Sequence, residues 1–76
     1  MKRDLDTKGV GKRLQRFREV RGLTRTVLAL KLGITEKDLE NVEAGKGTLT
    51  EKHLETLRDT FAVDPAWLLG GQDEQS

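Results

Sequence analysis

The chain has no cysteine. This excludes a disulfide framework, a thiolate nucleophile and a cysteine-ligated metal site. It has a single histidine, His53, so an imidazole metal site or a Ser-His-Asp triad lacks parts. No apolar run approaches the length of a membrane span, and no signal peptide is visible, so a cytoplasmic protein with no membrane partner is expected. No internal repeat and no convincing alternation of apolar and polar residues occurs, which leaves no strand to propose. A chain of 76 residues is expected to form one domain. A domain of that size buries only about 60% of its unfolded surface, which leaves little room for an enzyme's cavity. No pair of residues is placed for acid–base or nucleophilic work. The expectation is a non-enzyme without metal, cofactor or small-molecule substrate.

Charge of either sign is nearly balanced, at a net +1. The distribution is uneven. Residues 1–31 carry ten Lys and Arg against three Asp and Glu, and residues 32–76 carry four against ten. Such a split reads either as a solvated surface with pairing across the fold or as one basic face able to meet phosphate.

What is present is a series of short amphipathic segments with strong end signals. Residues 1–8 are polar and charged and read as a flexible arm, whose Lys2, Arg3 and Lys8 make it basic. Helix one is expected at about 10–21, with Val10, Leu14, Phe17 and Val20 on its apolar stripe and Gly22 ending it. Helix two follows Thr24, with Leu28 and Leu32 inward and Ala29 allowing close approach; Val27 and Leu30 fall off that stripe. Helix three follows Thr35, with Asp38 placed for a capping box and Leu39 and Val42 inward. Helix four follows Thr50 and carries Leu54, Leu57 and Phe61, with His53 as a solvated residue near its start. Asp64-Pro65 supplies a cap and a first-turn proline for a short helix at 65–69, which bears Trp67. Residues 71–76 read as a polar tail or the start of a linker, leaving the domain at 9–70. The class is all-α.

Helices two and three are joined only by Leu32-Gly33-Ile34-Thr35. So short a connection makes them cross steeply, which is a helix-turn-helix. The second helix of such a unit, near 36–44, can enter a DNA major groove.

At this point the chain resembles the Xre/Cro/CI helix-turn-helix family, to which the DNA-binding domains of lambdoid phage repressors belong. The resemblance covers about 10–71. It rests on Arg18-Glu19-Val20-Arg21-Gly22-Leu23-Thr24, Leu28-Ala29, Leu32-Gly33-Ile34-Thr35, Glu43-Ala44-Gly45-Lys46 and Asp64-Pro65-Ala66-Trp67-Leu68-Leu69, in that order. It implies a compact five-helix bundle of the lambda-repressor-like type. It also implies a sequence-specific regulator, a repressor, that binds a near-palindromic double-stranded DNA operator as a two-fold homodimer. By position, Arg18 and Glu43 match a structural ion pair that locks helix three onto helix one. Thr24, Arg25, Thr35 and Lys46 match phosphate contacts, and helix N-termini suit phosphate because their N–H groups lack partners. Glu36, Lys37, Glu40 and Asn41 match the outward positions that face base edges. Lys12, Arg16 and Arg21 join Arg25 and Lys46 as the stock of phosphate-facing charge.

Departures from the family pattern point to a second reading. Arg25 stands where the family usually has glutamine. The recognition helix is acidic, with Glu36, Asp38, Glu40 and Glu43 against Lys37. The loop Gly47-Thr48-Leu49 lacks the basic residues that relatives often carry, and Arg58 replaces a small residue, where it either snorkels or pairs with an acidic neighbour. Val27 and Leu30 replace exposed polar residues. The alternative is therefore the same fold used as a protein-interaction module, through acidic helix three and Val27 and Leu30.

Overall fold

Threonine starts three of the helices. Thr24, Thr35 and Thr50 each adopt extended backbone, and each hydroxyl accepts a hydrogen bond from the backbone N–H three residues on. Each cap satisfies one of the unpartnered donors of a first turn. In the computed structural model, which describes residues 7–70, the helices are α1 (Thr7–Val20), α2 (Arg25–Leu32), α3 (Glu36–Glu43), α4 (Glu51–Phe61) and α5 (Pro65–Gly70). No strand occurs among the described residues.

Three helices end the same way. At Gly33 the N–H bonds back to the Leu30 carbonyl at 3.2 Å, and the next N–H, of Ile34, bonds to Ala29 at 3.0 Å. That pair requires a left-handed residue, and Gly33 has φ 76°. The same two bonds close α1 at Gly22 and α3 at Gly45. At the end of α4 the left-handed residue is Ala62, with φ 60°. An alanine there carries a steric penalty of about 1–2 kcal/mol, partly offset because glycine loses more freedom on folding. Ala62→Gly is therefore expected to stabilise by about 0.5–1 kcal/mol, read as a rise of a few degrees in melting temperature; a fall would show that Ala62 is held there by packing.

The core takes Val10 and Leu14 from α1, Leu28, Ala29 and Leu32 from α2, Leu39 and Val42 from α3, Leu57 from α4, Val63, and Leu68 from α5. Trp67 is half-buried and packs on its edge with Phe17 and Phe61, whose rings meet edge to face at 5.5 Å. Two glycines of the sequence have different uses: where Gly33 turns the chain, Gly11 lets α1 and α3 touch. A Cβ built on Gly11 would lie 2.3 Å from the Val42 carbonyl oxygen and 2.7 Å from that of Glu43.

Four expectations change. Val20 is not on the buried stripe; it is 78% exposed. Residues 10, 14 and 17 continue on a helix at 21, not 20, and Arg21 indeed lies over the Phe17 ring at 5.3 Å. The first helix begins at Thr7, so Lys8 belongs to α1 and not to an arm. The capping box forms in α4 instead of α3. His53 N–H donates to Thr50 Oγ1 at 3.2 Å, and Thr50 N–H donates to His53 Nδ1 at 3.1 Å. His53 is thus a half-buried cap residue, whereas Asp38 is one methylene shorter than the residues that usually reach back. Lys2, Arg3 and the tail at 71–76 lie outside the described residues.

Candidate nucleic-acid interface

Three residues, Gly33, Ile34 and Thr35, separate α2 from α3. Ile34 is half-buried against the core, so the turn is anchored by its own side chain as well as by the Gly33 bonds. Thr35 then accepts from Asp38 N–H at 3.0 Å and starts α3. On α3, Leu39, Val42 and Glu43 face inward. Glu36, Lys37, Asp38 and Glu40 are exposed, and Asn41 is half-buried. Lys37, Glu40 and Asn41 stand three and four residues apart and share one helix face. Asn41 also borders a cleft of about 240 Å³ with Asp38, Lys46, Thr48 and His53. Of the four residues expected to face bases, Glu36, Lys37 and Glu40 are thus open to solvent and Asn41 is partly covered.

The inner end of α3 is fixed by charge. Arg18 Nε donates to Glu43 Oε2 at 2.7 Å and Nη2 donates to Oε1 at 3.3 Å. Arg18 Nη1 donates to the Leu23 carbonyl at 3.0 Å, so one side chain joins α1, α3 and the turn before α2. Glu43 is 6% exposed. A second cation reaches it: Arg25 Nε donates to Glu43 Oε1 at 3.1 Å. The sequence reading gave Glu43 to Arg18 alone. Arg25, at the start of α2, serves the ion pair while its side chain stays 43% exposed.

Helix starts differ in what they offer an anion. The first turn of α2 holds no acidic residue, whereas that of α3 holds Glu36 and Asp38. Both starts present unpartnered N–H groups, but the two carboxylates oppose an anion at α3. Thr24 and Thr35 each use a lone pair as a cap, and each keeps its O–H proton to donate outward. Lys46, just past α3, is exposed.

The other cations divide. Arg21 Nη2 donates to the Phe61 carbonyl at 2.8 Å, so Arg21, counted in the sequence as phosphate-facing stock, is turned to the end of α4. Lys12 and Arg16 line a cleft of about 450 Å³ with Gly9, Arg13 and Trp67, on the α5 flank of α1. Arg58 is 61% exposed with its Nε 3.5 Å from Asp59, and it borders a cleft with Leu54 and Pro65; a pair that exposed adds little stability. Val27 and Leu30 are exposed on α2, at 39% and 76%.

Sequence reasoning missed two residues of consequence here. Arg13 Nε donates to the Leu68 carbonyl at 2.8 Å and Nη2 to that of Leu69 at 3.2 Å, capping α5 from α1. Thr26 Oγ1 donates to Glu36 Oε2 at 2.6 Å. The only sequence signal for the second contact is the short turn itself, which brings the start of α2 near the start of α3.

A family model described as a helix-turn-helix domain matches residues 11–74, which takes in α2, the turn and α3 whole. The comparison with curated proteins gives no match. Among the described residues no helix is long and apolar enough to cross a membrane.

Proposed function

We propose, starting from the fact that the chain belongs to the helix-turn-helix domain family, that it is a sequence-specific regulator which represses by occupying an operator. Helix α3 enters the major groove, and two copies bind half-sites about one helical turn apart. The observation that carries this reading is the side of α3 left open. Its inner side is fixed by Leu39, Val42 and Glu43, while Glu36, Lys37 and Glu40 are exposed beside the acid-free start of α2. Glu36, Lys37, Glu40 and Asn41 face base edges. Thr24, Arg25, Thr35 and Lys46 face phosphates, which set the register of the protein on the duplex.

The test is selection of sites from a random duplex library, followed by affinity for the winner at several salt concentrations. With roughly three to four phosphates neutralised per half-site, log K is expected to fall with log salt at a slope of about −6. Arg25→Ala is expected to flatten that slope by about one per half-site. The acidity of α3 together with exposed Val27 and Leu30 supports a second reading, a surface for a basic protein partner. Absence of duplex affinity at low salt selects that second reading.

A further inference from the structure

We infer that Thr26 is a specificity-positioning residue, which through its bond to Glu36 makes one position of each half-site select cytosine. The inference rests on the DNA-binding reading above.

Thr26 is the second residue of α2, and Glu36 is the first of α3. Both are exposed, so no packing forces them together. Their contact is 2.6 Å, within the range of a hydroxyl donating to an ionised carboxylate. The direction of the bond follows from the groups. A carboxylate only accepts, so the single hydroxyl proton of Thr26 is spent on Glu36 Oε2. Among the described residues Glu36 Oε1 accepts no hydrogen bond. The Thr26–Glu36 pair thus offers lone pairs alone: those of Oε1 and those left on Thr26 Oγ1.

A surface of acceptors has one good match among the four bases in the major groove. Guanine presents two acceptors, N7 and O6, and thymine presents O4, so both are repelled. Adenine presents a donor at N6, but N7 beside it is an acceptor that faces the second oxygen. Cytosine presents the N4 amino donor with only a C–H as its neighbour. A Glu36 side chain free of Thr26 can swing away from the acceptors it dislikes; one anchored through Oε2 cannot, so the bond turns a tolerant contact into a selective one. Freezing that side chain before binding also lowers the entropy lost on contact.

The test uses the full chain and duplexes of the selected site that differ at one base pair in each half-site, scanned across all positions. The parent protein is expected to prefer cytosine at one such position by about tenfold over guanine or thymine. Thr26→Val keeps the shape and removes the hydroxyl, and it is expected to reduce that preference to about threefold or less while leaving the salt slope and the preferences elsewhere unchanged. Thr26→Ser is expected to retain the preference. A Thr26→Val protein with the full cytosine preference overturns the inference, as does a Thr26→Ser protein that has lost it. A parent chain that binds duplex with no base preference also overturns it, and leaves DNA binding standing. A parent chain with no duplex affinity at low salt overturns both.

Discussion

Gly11→Ala is expected to destabilise the protein by about 2–3 kcal/mol, although the exchange is helix-favouring by itself. In an exposed helix interior it would gain close to 1 kcal/mol. Here the new methyl would sit 2.3 Å from one backbone oxygen of α3 and 2.7 Å from the next. No side-chain rotation relieves an overlap between a Cβ and a carbonyl, so the helices must separate. Separation withdraws Val10 and Leu14 from Leu39 and Val42 and lengthens the Arg18–Glu43 bonds, which span the same crossing. Overpacking that needs backbone movement typically costs 1–3 kcal/mol, occasionally more, and it must also cancel the propensity gain. For a domain of this size the result is a fall of roughly 10–20 °C in melting temperature. Gly47→Ala is the control, since a Cβ there meets Val42 Cγ2 at 3.4 Å, an ordinary contact, and little change is expected. A Gly11→Ala protein as stable as the parent would mean that α1 and α3 do not touch through their backbones.

The parts of the fold that were readable in advance are those decided within a few residues. Thr24, Thr35 and Thr50 start helices because a hydroxyl reaches its own first turn. Gly22 and Gly33 end them because left-handed backbone suits glycine, and Asp64 accepts from Ala66 N–H at 3.0 Å ahead of a proline whose missing donor is not needed. Membership of the helix-turn-helix family follows from these local signals taken in order. What stayed hidden depends on partners far along the chain. Arg13 and Arg21 look like surface charge until α5 and the end of α4 arrive beside them, 55 and 40 residues later. Gly11 looks like a weak point in a helix until α3 crosses it. Val20 fails for a different reason: a stripe drawn at spacings of four, three and three drifts off the buried face of a 3.6-residue helix. At the candidate interface, the resemblance supplied the positions of Glu36 and Arg25 but not their neighbours. The Thr26–Glu36 bond and the turning of Arg25 to Glu43 depend on side-chain reach across the turn, which spacing alone does not fix.

Arg18→Ala is expected to cost about 3 kcal/mol, at the low end of what removing one partner of a buried pair costs. The reason lies in the second arginine. Glu43, with its side chain 2% exposed, accepts from Arg18 through both oxygens and from Arg25 through Oε1. Removing Arg18 loses the bidentate pair and the bond to the Leu23 carbonyl, yet Arg25 still faces the buried charge. Arg25→Ala alone removes one bond from a more exposed side chain and is expected to cost about 1 kcal/mol or less. The double variant leaves Glu43 buried with no cation, so the two losses should not add. We expect the combined loss to exceed the sum of the singles by about 1 kcal/mol, measured by urea unfolding of all four proteins. Glu43→Gln in the double-variant background should recover part of the loss, because an amide needs no counter-charge. Losses that add to within about 0.3 kcal/mol would show that Arg25 does not share the charge of Glu43. Its guanidinium would then stand clear of the ion pair, with its whole charge available to a phosphate at the start of α2.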